Sequence, residues 1–255
     1  MKLKKTLLAL SLAAFAASAS AGTVINGNSL QNGLNALTEG GNFYDVNTAQ
    51  LAPDEVWNIS TSNASVNRLM FEFAGFANQA KFGIYDVNDV SKTLQIYDGS
   101  ACGSAQGCTL PQSFGLTVED PAGTFSAYAL GGPATTTVFS SSNFGYYLDS
   151  GNGIFYSEAS KNSDVGQNGT SDHMVAYAGN DSVRMDINGG NNYKDFTYGE
   201  FILAWEDLAF PNSDYDYSDF VVLVESVSVV PEPGTLALLG LGLAGLGAAR
   251  RRQKA

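Results

Sequence analysis

The chain has 255 residues, 44% hydrophobic and 15% charged, and carries a net charge of −12 at pH 7. That length and apolar share suffice for a buried core. The acidic balance disfavours nucleic acid and anionic lipid as partners and attracts divalent cations.

Taken in chain order, Met1 to Gly22 has three lysines, then an apolar run, then small residues. This pattern predicts a secretory signal peptide over residues 1–21, with an A-x-A cleavage site ending at Ala21 or, alternatively, at Ala19. The run is too short and too alanine-rich for a membrane span. Export through the Sec machinery follows.

Residues 22–230 form the exported portion, which keeps six basic against twenty-four acidic residues, about −18 in all. Ser29 to Thr38 predicts one short helix with Ser29 as its cap. The rest alternates aromatic or β-branched segments with Gly, Asn, Asp and Ser clusters. L-M-F-E-F-A-G-F, K-F-G-I-Y-D, T-L-Q-I-Y-D, F-S-A-Y-A-L, F-G-Y-Y-L-D, H-M-V-A-Y-A, F-I-L-A-W and F-V-V-L-V-E-S-V-S-V-V read as strands. No linker divides them, so the expectation is an all-β fold: a single β-sandwich domain, jelly-roll-like. Phe82-Gly-Ile-Tyr and Phe144-Gly-Tyr-Tyr echo each other, as two related hairpins or as two sheet edges with similar glycine needs.

Cys102 and Cys108 bracket G-S-A-Q-G. In an exported chain this predicts a disulfide, worth roughly 2 kcal/mol by loop entropy. The spacing is not C-x-x-C, and the single histidine, His173, is distant, so a redox or zinc pair does not fit.

Between the strands Phe201–Trp205 and Phe220–Val224 lie Glu206, Asp207, Asp214, Asp216 and Asp219. In an extended chain residues two apart share a side. Asp214 and Asp216 therefore face one way and Tyr215 and Tyr217 the other. Asp219 joins the pair only if the chain bends near Ser218. Glu206 and Asp207 approach from the opposing strand end. Such carboxylates suit Ca²⁺, which takes six to eight oxygens in flexible geometry. An EF-hand is excluded, because Asp219 stands where that loop needs glycine and the flanks are strands. A solvated acidic turn without an ion is the competing reading.

The chain ends V-P-E-P-G-T-L-A-L-L-G-L-G-L-A-G-L-G-A-A-R-R-R-Q-K-A. Pro231 and Pro233 stop the preceding strand, an uncharged run follows, and Arg250, Arg251 and Arg252 hold its end in the cytoplasm. The run is short beside the roughly 20 residues a bilayer core needs, which makes it a weak anchor. Pro231-Glu232-Pro233, the Gly/Leu-rich span and the Arg cluster resemble the PEP-CTERM sorting signal of Gram-negative bacteria, placed here at residues 231–255. That resemblance implies an exosortase partner, cleavage near Pro-Glu-Pro, and delivery to the cell surface or extracellular biofilm matrix. Membrane contact is then confined to the C-terminal helix before processing.

A second resemblance covers Asn67 to Glu225. W-E-D-L followed by S-D-Y-D-Y-S-D-F-V-V resembles the final signature of a bacterial surface domain of unknown function, written E-D, then D-x-D-Y-x-D. F-E-F-A-G-F, K-F-G-I-Y-D, G-I-F-Y-S-E and D-H-M-V-A-Y fit it more loosely, and Ser218 stands where Asn is common. The resemblance implies a β-rich surface domain with a suspected calcium site and no established reaction.

Three functions compete. The first is a non-enzymatic surface or matrix protein with a calcium-binding acidic loop. The second is a carbohydrate-binding module engaging exopolysaccharide, with Trp57, Trp205 or the tyrosines as stacking faces. The third is a glycoside hydrolase, for instance through Glu200 and Glu206. No G-x-S-x-G surrounds any serine, and His173 shares a strand face with Val175 and Tyr177, or else is a polar partner of the acidic loop.

Overall fold

The computed structural model describes residues 23–60, 63–71, 78–102, 112–119, 123–129 and 133–231. The signal peptide with Ala21, the Cys108 half of the proposed disulfide, and the tail from Glu232 through Pro233 to Arg250, Arg251 and Arg252 lie outside these residues.

Among the described residues one α-helix, α1 (Ser29–Leu37), precedes fifteen strands. They are β1 (Trp57–Ile59), β2 (Ala64–Phe71), β3 (Lys81–Asp86), β4 (Asp89–Asp98), β5 (Gln112–Glu119), β6 (Thr124–Ala129) and β7 (Thr135–Val138). Then come β8 (Phe144–Asp149), β9 (Ile154–Tyr156), β10 (Met174–Ala178), β11 (Val183–Met185) and β12 (Lys194–Phe196). β13 (Glu200–Trp205), β14 (Phe220–Glu225) and β15 (Val227–Val229) end the described chain. The fold is thus mostly β, with a single short α-helix among the described residues. Ser29 is the first helical residue rather than the cap. Asn28 holds that position, and no side chain caps the helix.

The strands form three antiparallel sheets. One has the order β15-β1-β8-β3-β4, with β9 also paired to β8. A seven-stranded sheet runs β10-β13-β14-β2-β5-β6-β7, and β11 pairs with β12 alone. The two large sheets share one core. Phe82 and Trp57 of the first lie against Trp205, Phe220 and Phe201 of the second, with ring centroids 4.9–6.1 Å apart. The Trp57–Phe201 and Phe82–Trp205 pairs meet edge to face, which adds to what burial alone contributes.

The other face of the seven-stranded sheet is covered as well. Alternation along β13 and β14 shows why their sequences read as nearly unbroken apolar runs. Phe201, Leu203, Trp205, Phe220, Val222 and Val224 enter the core between the large sheets. Ile202, Ala204, Val221 and Leu223 enter a second cluster with Leu30 and Leu34 of α1 and with Val183, Met185 and Phe196 of β11 and β12. A strand buried on both faces has no polar side to show.

The F-G-x-Y echo has a physical cause in the packing of β3 on β8, neither of which is a sheet edge. β3 and β8 are interior neighbours, in a register that pairs Gly83 with Tyr147 and Tyr85 with Gly145. Each glycine lies beneath the tyrosine of the other strand. A Cβ on Gly145 would sit 2.2 Å from Tyr85 Cζ, and one on Gly83 would sit 2.7 Å from Tyr147 Cε1. The repeated motif is one reciprocal packing arrangement made twice.

Candidate metal centre

Glu206 and Asp207 follow directly on Trp205, the last residue of β13, whose register partner Phe220 opens β14. The intervening loop therefore leaves and re-enters the sheet at one point. It brings Asp219, the residue before β14, back beside Glu206 and Asp207. The main chain of Asp207 donates to Asp219 Oδ2 at 3.0 Å.

Between these shoulders the chain coils rather than extends. Tyr215 and Tyr217 have φ of 63° and 54°, a left-handed conformation uncommon outside glycine. Short polar side chains hold it there. Ser213 Oγ accepts from the Tyr215 N–H at 2.9 Å, and Asp216 Oδ1 accepts from the Ser218 N–H at 2.8 Å. The expected two-sidedness survives this coiling. Tyr215 and Tyr217 are buried, whereas Asp214 is exposed and Asp216 half-buried. The Tyr217 hydroxyl donates to the Asp172 carbonyl at 2.5 Å and pins the buried side.

All five acids fall into two overlapping groups. One carboxylate oxygen from each of Glu206, Asp207 and Asp219 lies within 4.8 Å of the others, and the same holds for Glu206, Asp214 and Asp216. Glu206 belongs to both. Glu206 and Asp207 are 1% and 4% exposed, and Asp207 Oδ2 is buried with no hydrogen-bond donor. A buried oxygen without a partner costs about 1–3 kcal/mol, and more when charged.

Burial, reinforced by the Asp219 carboxylate, pushes Glu206 up to about 9 and Asp207 up to about 7. Asp219 is also raised by burial, against the lowering effect of the Asp207 N–H. Alone, the group holds protons at neutral pH. A divalent cation is the other way to neutralise it.

Helix α1 borders the exposed side of the site. Ser29 and Asn32 of the helix line a cavity of about 590 Å³ with Asp214, Asp216, Ser218 and Asp219. The chain before α1 reaches the loop directly, since the Asn26 N–H donates to the Tyr215 carbonyl at 2.8 Å.

Two further features lie near the site, and the first is the polar partner that the sequence offered as an alternative. His173, fully buried, is stacked between Phe155 and Phe210 at 4.1 Å from each ring. Its Nδ1 is 3.3 Å from the Glu206 carbonyl and its Nε2 2.9 Å from Asp164 Oδ2, so it does contact the acidic loop. Burial lowers its pKa, and Asp164 opposes that. Asp164 Oδ2 also accepts from the Phe210 N–H at 2.7 Å, which ties a separate segment to the loop. The second feature is a cavity of about 190 Å³ lined by Asp54 and Asp172. Burial raises both carboxyls, Asp172 to about 6 and Asp54 well above its ordinary value, and in each hydrogen bonds partly offset the rise. Asp172 accepts from Thr23 Oγ1 at 2.6 Å and from the Met174 N–H at 3.2 Å.

Other sequence candidates are dispersed. Trp57 and Trp205 are both fully buried, so neither offers a stacking face. Glu200 opens β13 and Glu206 follows its end, a separation of about 20 Å along a six-residue strand. That exceeds the roughly 5–9.5 Å between paired glycosidase carboxyls.

Residues 229–252 match the PEP-CTERM protein-sorting motif. The motif implies an exported cell-surface protein, held in the membrane until an exosortase processes it. No curated protein and no solved structure matches the chain. Among the described residues no helix is long and apolar enough to cross a membrane. The expected C-terminal span lies beyond them. Of the motif, the described residues include Val229, Val230 and Pro231, and Pro231 is exposed.

Proposed function

We propose that this chain is a non-enzymatic surface or matrix protein of a Gram-negative bacterium whose acidic loop binds calcium. The observation that carries the reading is Asp207, whose Oδ2 is buried and unpartnered and whose carboxylate lies within 4.8 Å of those of Glu206 and Asp219. Oxygens coordinating one Ca²⁺ at about 2.3–2.6 Å are at most about 5 Å apart. The 4.8 Å limit within each group fits that span. An all-oxygen donor set suits calcium, whereas zinc would seek His or Cys. His173, the only histidine in the sequence, contacts Asp164 and the Glu206 carbonyl instead.

Glu206, Asp207 and Asp219 would hold the ion on the buried side, with Asp214 and Asp216 on the exposed side. Calcium supplies charge neutralisation, and the loop geometry keeps the carboxylates convergent. The two large sheets packed across one aromatic core support reading the exported portion as a β-sandwich. The likeness of residues 205–222 to the acidic signature of a surface domain supports the same assignment.

A strongly anionic domain and an acidic exopolysaccharide repel each other, and calcium held at an exposed loop would bridge them. Replacing Asp214, Asp216 and Asp219 by Asn is expected to release most of the protein from the matrix into the medium. Matrix and medium fractions compared by immunoblot test this. Retention equal to wild type would rule out calcium bridging, leaving a purely structural ion.

A further inference from the structure

The sorting motif begins inside the folded domain. Its match starts at residue 229, and Val229 is the last residue of β15, paired with Trp57 of β1. The ladder continues one residue further, where the Val230 N–H donates to the Val56 carbonyl at 2.8 Å. Nothing separates the sheet from Pro231.

The chain is held from the other end too. It passes from β14 to β15 through Ser226, at φ 60°. The Ser226 carbonyl accepts from the Ser60 N–H at 2.9 Å, and the Val227 N–H donates to the Gly199 carbonyl at 3.2 Å. The Val227 side chain is fully buried in the core between the large sheets.

An enzyme that takes up an extended peptide binds its main-chain N–H and C=O groups and the side chains that alternate along it. In the folded domain β1 already occupies those groups at Ser228 and Val230. Sheet and enzyme therefore compete for one stretch of backbone.

We propose that β15 must detach from β1, from its Val230 end back toward Ser228, before the exosortase engages the tail, so that the hold of β1 on β15 sets the rate of processing. The strand suits this role. It is three residues long and terminal in its sheet, and short edge ladders open at the low end of a domain's local stabilities. Val227 stays in the core while the last residues fray, so detachment does not require the domain to unfold. The proposal does not depend on calcium.

The test uses the full chain in the cell that produces it, with tail removal followed by pulse-chase and mass. Two variants act in opposite directions. Asn58 and Ser228 are register partners, and Ser228 Oγ donates to Asn58 Oδ1 at 2.6 Å. Asn58→Cys with Ser228→Cys therefore places two thiols where the side chains already meet, within the reach of a disulfide. The oxidised form is expected to be processed about tenfold more slowly or worse, and reductant restores the rate. A six-residue Gly-Ser spacer between Val230 and Pro231 gives the enzyme free backbone while leaving β15 paired, and it is expected to speed processing several-fold. Wild-type processing of the oxidised double-cysteine chain would overturn the proposal. So would a spacer variant processed no faster than wild type.

Discussion

Chelating calcium at pH 8 is expected to lower the melting temperature of residues 22–230 by about 3–6 °C, relative to calcium at ten times its dissociation constant. At that ratio the ion adds about 1.4 kcal/mol, and each kcal/mol moves a domain of this size by about 2–4 °C. At pH 5 the same comparison is expected to give almost no shift. The cause is competition between protons and calcium for one set of oxygens. Glu206 and Asp207 titrate at about 9 and about 7 in the folded chain, against 4.5 and 3.8 as ordinary carboxyls. The folded state thus binds more protons than the unfolded one between those limits, and stability without metal falls as pH rises. The contribution is whole below about pH 4 and is lost as pH climbs through 7 to 9. Calcium takes the ionised form and offsets part of what is lost. Its effect therefore grows over the window in which the calcium-free protein weakens. Melting curves from pH 5 to 9, with calcium, with magnesium and with chelator, measure this. A calcium-free protein that gains stability with rising pH would mean that the carboxylates are solvated and the site is a plain acidic turn.

The second large effect is steric. Gly145→Ala is expected to cost about 1–3 kcal/mol, the usual range for overpacking, or roughly 2–12 °C in melting temperature. The added methyl would meet Tyr85 Cζ at 2.2 Å. Tyr85 cannot easily swing away. Its hydroxyl donates to Glu158 Oε2 at 2.8 Å, and its ring packs edge-to-face on Tyr156 at 4.9 Å. Tyr85→Ala alone is expected to cost about 3–5 kcal/mol, as large aromatic truncations do. In the double variant the new methyl occupies space the ring has left. The two losses should then fall short of their sum by about 1 kcal/mol or more. Denaturant melts of the four proteins decide it. Simple additivity would mean that Gly145 is needed for its backbone alone, and the reciprocal arrangement would have no energetic content.

Legibility in the sequence followed burial. β13 and β14 were readable because both of their faces are apolar, β3 and β8 because aromatic residues repeat along them, and β10 because it is a short, almost wholly buried apolar run. β7, T-T-T-V, went unread because most of it is exposed at the end of the seven-stranded sheet. The first half of β2 went unread for a different reason. Ser65 and Asn67 are polar, yet they are 2% and 1% exposed, so no apolar alternation marks them. β11 and β12, three residues each, carry too short a pattern for any period to show.

At the site, spacing two residues apart was enough to sort Asp214 and Asp216 from Tyr215 and Tyr217, because burial alternates even where the backbone coils. The grouping of Asp219 with Asp207 required the register of β13 on β14, which depends on strands rather than on local sequence. Asp164 was invisible for the same reason. It lies 46 residues from Phe210, whose N–H it accepts, and nothing nearby in sequence marks the contact. The overlap of the sorting motif with β15 needed both the motif boundary and the sheet register.

The measurement that bears most directly on the metal assignment is calorimetric titration of calcium into residues 22–230 at pH 8, beside the Asp207→Asn variant. Calcium is expected to bind with a dissociation constant of about 0.1–1 mM, magnesium much more weakly, and the variant at least tenfold more weakly than wild type. Absence of calcium binding up to about ten times that range, in a protein that melts cooperatively, would contradict the metal assignment.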